Sequence, residues 1–312
     1  MLLEDNLNFV KNEPESESRK GSEQVRKTEN ARLIVSRSGK SPHEIAEFNE
    51  IEICKWILRN GFTTELVISI LLGTSKNDYC QRLVKRGLLC KTPVPPGWPV
   101  SRDYPANSYF TLSESGLTLA LRYDVEVSNY PEIDPHKVRG PTFHHSVLFQ
   151  IETAGRIRLG KIIDYRTERM LVKGKPDEKI PDGSWQYKNG KSSLIEIENR
   201  DRKEGNKLLK FASGLLDMLA SGTYDYALVL VHTDTLCQHY KNAFKIGQTY
   251  YPKWVKDKGI YYPKENSAMH IDEGLHKRAH FHVFCRPCFI RRDLKDAVGR
   301  RIQQLTPVEG LD

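Results

Sequence analysis

Asn189-Gly190 lies between two short runs rich in β-forming residues, 183–188 and Ser192–Glu198, and so sets a hairpin near the middle of this 312-residue chain. Along Leu194-Ile195-Glu196-Ile197-Glu198 a side-chain period of two sends Leu194, Glu196 and Glu198 to one face and Ile195 and Ile197 to the other. Two carboxylates therefore leave this strand in the same direction. Turn length decides whether Asp182 joins them. A two-residue turn pairs Gly183 with Glu196 and puts Asp182 on the wrong face, whereas a three-residue turn through Asn189, Gly190 and Lys191 pairs Asp182 with Glu198 and Ser184 with Glu196. The longer turn, or a bulge at Gly183, is expected. Like charges facing each other across a ladder destabilise it, so the cluster calls for a cation, and hard oxygen ligands suit Mg2+ or Mn2+. Asp182, Glu196 and Glu198 are the expected metal ligands.

The surroundings extend this into a mixed α/β unit. Residues 161–167 read as a strand, 144–159 and 202–220 as helices and Tyr226–Val231 as a buried strand, which gives the order αβββαβ. Glu168 is expected to share a strand face with Asp164 and Arg166, where it binds metal, orients Arg166 or faces water. Glu152 on the preceding helix is a further ligand candidate, set against a surface salt bridge. His145 is placed to bond a phosphate or act as a base, with helix capping as the alternative.

Upstream, 44–60 is helical in pattern, Thr63-Thr64-Glu65 opens a second helix and Ser75 caps a third that ends at Gly87. A proline-rich connection, 91–107, then leads to Ser108-Tyr109-Phe110-Thr111-Leu112 and Ser113-x-x-Gly116. Helices followed by a hairpin describe a winged helix. Its third helix carries Lys76, Arg82, Lys85 and Arg86 against Asp78, as a recognition helix in a DNA major groove does. A protein-binding module with an exposed basic helix is the weaker alternative.

Pro181-Asp182 and Glu196-x-Glu198 within αβββαβ resemble the core of the PD-(D/E)xK restriction-endonuclease-like nucleases. Glu198 stands where those enzymes keep a lysine, so the resemblance implies a base or phosphate-binding cation from Lys203 or Lys207. With the winged helix, residues 44–234 are similar to the plasmid replication-relaxation proteins and MobC-type conjugative relaxases. The resemblance implies an α/β (α+β) fold: an N-terminal winged helix-turn-helix followed by a restriction-endonuclease-like core. It further implies a metal-dependent DNA endonuclease of relaxase type, a nickase of a plasmid or other mobile element active in conjugation. Its partners are then a double-stranded DNA site, single-stranded DNA and mobilisation or replication proteins, in the bacterial cytoplasm. The attacking group is water or a tyrosine, with Tyr187, Tyr224 and Tyr226 near the site in sequence. The alternatives are a non-catalytic replication initiator or regulator, and a hydrolytic transposon or defence endonuclease.

Charge agrees with a nucleic-acid partner. The net +8 is uneven: residues 136–312 hold 31 basic and 21 acidic groups, and 43–135 hold 9 and 12. The expected layout is a disordered leader 1–41, winged helix 42–135, nuclease-like domain 136–300 with a basic aromatic insertion 238–275, and tail 301–312. In that insertion Tyr240, Phe244, Tyr250, Tyr251, Trp254, Tyr261 and Tyr262 interleave with lysines such as Lys253, a pattern that holds unpaired DNA or packs a lid on the core. No run approaches a membrane span, and the six scattered cysteines suit a reduced compartment. His276, His280, His282, Cys285 and Cys288 pose a structural Zn2+ against an ordinary strand, and the strand is preferred.

Overall fold

A computed structural model describes residues 41–73, 78–98, 107–124, 138, 140–171, 179–198 and 203–283. Expectations for the leader, the tail, Ser75, Lys76, most of the wing, Cys285 and Cys288 fall outside these residues. The chain divides into two compact units, Met1–Glu50 and Ile51–Asp312. In the first, Ser41 and Glu44 form a capping box, the Ser41 N–H donating to Glu44 Oε2 (2.6 Å) and the Glu44 N–H to Ser41 Oγ (3.2 Å). They open helix α1 (Pro42–Asn60).

The second unit is a mixed α/β structure. Helix α2 (Glu65–Leu72) begins where the Thr64 hydroxyl accepts from the Val67 N–H and ends at Gly73 in the left-handed region. Helix α3 (Tyr79–Lys85) leads into the antiparallel pair β1 (Leu89–Pro93) and β2 (Ser108–Leu112), and Ser113 caps α4 (Glu114–Tyr123) through the Gly116 N–H. Helices, hairpin and caps follow the expected order, with α3 described from Asp78 onward.

Helix α5 (Gly140–Arg158) precedes a five-stranded sheet made by β3 (Ile162–Thr167), β4 (Gly183–Tyr187), β5 (Ser192–Glu198), β6 (Tyr226–Val231) and β11 (Ala279–Val283). The sheet order is β11-β6-β5-β4-β3. Strands β3, β4 and β5 form an antiparallel meander, helix α7 (Gly205–Ala220) carries the chain over to β6 parallel to β5, and β11 pairs parallel to β6. A short helix, α6 (Glu168–Leu171), follows β3, and α8 (Asp234–Ala243) follows β6. The insertion then contributes β7 (Thr249–Tyr250), the hairpin β8 (Trp254–Asp257) and β9 (Ile260–Pro263), β10 (Met269–His270) against β7, and α9 (Glu273–Arg278). Among the described residues no helix is long and apolar enough to cross a membrane.

Alternation along the strands gives the sheet two apolar faces. Ile195, Ile197, Trp185, Leu228 and Leu230 bury against α5, and Leu194, Val229 and Val231 bury against α7 and α8. The first face merges with the three-helix segment: Phe62 stacks on Phe143 at 4.8 Å, and Trp56 Nε1 donates to Gln150 Oε1 at 3.1 Å. Arg59 closes this junction, bonding Asp124 Oδ2 and Asp164 Oδ1 at 2.5 Å each and the Tyr165 carbonyl at 3.0 Å. One continuous core thus underlies both the helix-and-hairpin segment and the meander.

Candidate active site

The hairpin turn positions the carboxylates. Tyr187 N donates to the Lys191 carbonyl (2.9 Å) and Gly190 N to the Tyr187 carbonyl (3.1 Å), so the loop is Lys188-Asn189-Gly190 with Gly190 at φ +81°. It has three residues, as expected, but starts one residue earlier. The register is therefore Gly183 with Ile195 and Ser184 with Leu194, and its continuation sets Asp182 level with Glu196 rather than Glu198. No bulge is needed at Gly183. That residue is glycine because a Cβ there would lie 2.4 Å from the Phe149 ring and 2.7 Å from the Arg166 carbonyl.

Glu196 and Glu198 share the face covered by α7, Asp182 lies beside them just before β4, and each has an assigned neighbour. Asp182 Oδ2 accepts from the Ile197 N–H at 2.7 Å and from His145 Nε2 at 3.1 Å. The same His145 nitrogen lies 2.9 Å from the Ile197 carbonyl, which can only accept, so Nε2 carries a proton. Glu196 Oε2 accepts from Lys179 Nζ at 2.7 Å. Glu198 is paired with Lys203 and also accepts from the Tyr240 hydroxyl at 3.0 Å. Beneath both ammonium groups lies the Phe211 ring, 5.3 Å from Lys179 Nζ and 4.5 Å from Lys203 Nζ.

The electrostatics single out Glu196. Burial, reinforced by the charge of Asp182 and opposed by Lys179, pushes its carboxyl up to about 8. Burial would raise Asp182 as well, but the hydrogen bond and charge of His145, then Lys179, hold it below the ordinary range. His145 and Lys179 rise against their own burial because Asp182 and Glu196 face them. Among the described residues, buried Glu196 Oε1 has no hydrogen-bond partner, on a side chain 3% exposed. That orphaned oxygen amid carboxylates suits a proton or a hard cation. Among the described residues, however, no three His, Cys, Asp or Glu side chains converge in a ready-made metal site. Asp182, Glu196 and Glu198 fit a divalent ion in donor chemistry, while Lys179 and Lys203 are the cations now drawn against them.

Other expected residues lie elsewhere. β3 ends at Thr167 and Glu168 opens α6, so Glu168 does not share the strand face of Asp164 and Arg166. Its N–H donates to the Asp182 carbonyl at 3.0 Å while its side chain is exposed. Asp164 is held by Arg59. Lys207 is exposed on the first turn of α7, and Lys203 makes the carboxylate contact instead. Glu152 is buried on α5, which covers the opposite face of the sheet, and so is not a surface residue. His280 and His282 share the Leu228 and Leu230 face, also opposite the carboxylates, and burial lowers both. Tyr187 is buried with its hydroxyl 2.9 Å from Ser193 Oγ, and the Tyr226 hydroxyl accepts from Lys191 at 2.7 Å. Cys54, Cys80 and Cys237 are buried thiols and Cys90 an exposed one.

Arg82, Lys85 and Arg86 are exposed on and just beyond α3, with Arg82 over the Tyr79 ring at 4.1 Å and 3.5 Å from Asp78. Lys253 is exposed beside β8, while Tyr240, Phe244 and Tyr250 pack into the core.

Lys179 is the functional residue that sequence reasoning missed. Its readable signal is Gly214, an isolated glycine within α7: a Cβ there would lie 3.1 Å from Lys179 Cβ and Cγ. Comparison with protein-family models, with curated proteins and with solved structures finds no match.

Proposed function

We propose that this protein is a metal-dependent DNA-nicking enzyme in which a PD-(D/E)xK-type core acts on DNA bound by a winged helix. The observation that carries the reading is Asp182, just before β4, set beside Glu196 of β5, with Glu196 Oε1 orphaned among the described residues and Lys179 on Oε2. Two acids and a lysine gathered at β5 match the minimal equipment of such an enzyme, and Lys179 supplies the cation that the Glu196-x-Glu198 spacing lacks.

Asp182, Glu196 and Glu198 would hold a divalent ion, which would supply Lewis-acid stabilisation of the charge on the scissile phosphate and the leaving 3′ oxygen. The chain's own groups do the rest. His145 and the Ile197 N–H fix the Asp182 carboxylate, and Tyr240 fixes Glu198. Lys179 and Lys203, one side of each in solvent, turn from carboxylate to phosphate when substrate arrives. We take water as the attacking group, because the hydroxyls of Tyr187 and Tyr240 are buried and engaged, Tyr224 is hydrogen-bonded to Ser184 and Tyr226 accepts from Lys191. A plasmid or mobile-element relaxase-like role, with a specific duplex site, is the biological setting we attach to this chemistry.

A second reading draws on the same ion pairs: carboxylates already matched by lysines suit a replication initiator or regulator that binds DNA without cutting it. Supercoiled plasmid carrying the protein's neighbouring DNA separates the two. Open circles that need Mg2+ or Mn2+ and vanish with EDTA, Asp182→Ala or Glu196→Ala support nicking; site-specific binding with no cleavage supports the second reading.

A further inference from the structure

The hairpin of β8 and β9 turns one side to the protein and the other to solvent. In its register Lys256 faces Tyr261 and Trp254 faces Pro263, while Val255 faces Tyr262 and Asp257 faces Ile260. The first set is the inner side: the Lys210 ammonium of α7 lies against the Tyr261 ring, and Trp254 Nε1 donates to the Tyr251 carbonyl at 2.7 Å. The second set leaves Val255 at 44%, Ile260 at 54% and Tyr262 at 45% exposure, three apolar side chains on one face. Around them Lys253, Lys258 and Lys264 are exposed, with Asp257 the acid of the hairpin. The tip is a tight turn with Lys258 at φ +46° and Gly259 at +83°, which keeps the ribbon short and stiff.

Its position ties this face to the carboxylates. Lys210, which meets the hairpin, precedes Phe211, which underlies Lys179 and Lys203. Ser213 Oγ accepts from the Tyr251 N–H at 2.9 Å, so the same turn of α7 carries both the site and the root of the hairpin.

We propose that the Val255–Ile260–Tyr262 face binds unpaired DNA and holds a strand beside the carboxylate site; this rests on the nuclease reading above. An apolar face ringed by lysines matches a single strand, whose bases offer π-faces and whose phosphates offer charge. In a duplex those base faces are stacked away, leaving nothing for Val255, Ile260 and Tyr262 to cover.

The test is fluorescence anisotropy of the full chain with a labelled homothymidine oligonucleotide in EDTA, alongside a duplex of equal length. Tyr262→Ala is expected to weaken oligonucleotide binding about 5- to 150-fold, the range for losing one base stack. Ile260→Ser is expected to weaken it less, and both leave duplex binding unchanged. Because these side chains are half exposed, thermal unfolding of both variants is expected to match wild type. Oligonucleotide binding unchanged in both variants, or duplex binding lost in parallel, overturns the proposal. Since EDTA removes cleavage from the assay, a plasmid that is never nicked refutes the nuclease reading without altering this result.

Discussion

Lys179→Met removes the ammonium group while keeping most of the apolar stem that packs over Gly214. The lost contact is a 2.7 Å ion pair to a Glu196 side chain that is 3% exposed, from a lysine side chain 33% exposed. Stripping one partner from a fully buried pair costs about 3–5 kcal/mol. Here the lysine keeps part of its hydration and Glu196 can take up a proton, so the expected cost is about 2 kcal/mol. In a domain of this size that lowers Tm by about 4–8 °C. The pH dependence is the sharper signature. Glu196 titrates at about 8 in the folded protein against 4.5 for the free group, so between these values the native state holds the extra proton and stability falls as pH rises. Lys179 opposes that upward shift, and its removal drives the carboxyl higher. The deficit of Lys179→Met relative to wild type is therefore small in mild acid and greatest above pH 8. Thermal unfolding followed by tryptophan fluorescence in EDTA across this range measures it. A variant as stable as wild type throughout, or one destabilised equally at every pH, refutes the reasoning.

His145→Ala is expected to cost about 1.5 kcal/mol near neutrality in urea titrations. Asp182 is depressed and His145 raised, so their mutual stabilisation is lost as pH falls through the one and as it rises through the other; a cost independent of pH contradicts the pairing. Replacing Arg82, Lys85 and Arg86 together by Ala should weaken duplex binding and reduce its log–log salt slope by about 2 to 3. An unchanged slope removes α3 from the DNA interface. Gly183→Val, whose Cβ would meet the Phe149 ring at 2.4 Å, should destabilise by about 3 kcal/mol. A wild-type denaturation midpoint would show that this close approach is absent.

Strand parity was legible because a period of two leaves no freedom: Glu196 and Glu198 share a face whatever the turn. The register was not, since Asn-Gly marks a turn without saying which residue opens it, and here Lys188 does. Helix caps at Thr64 and Ser113 could be read because capping is local chemistry. Lys179 was barely legible, because it lies outside any strand and tertiary packing, traced in sequence only by the isolated Gly214, brings it to Glu196 of β5. Glu168 was misplaced by extending alternation one residue too far, where the chain turns into α6. The core shared through Arg59, Trp56 and Phe62 is likewise non-local, and nothing in the patterning of either half announces it.

The proposed nicking chemistry stands on Asp182 and Glu196 holding a divalent cation in competition with Lys179. Calorimetric titration of the DNA-free protein with Mn2+ measures it directly. A saturable site is expected, abolished by Glu196→Gln and Asp182→Asn and tightened by Lys179→Met. Absence of Mn2+ binding, or binding unaffected by Glu196→Gln and Asp182→Asn, contradicts it.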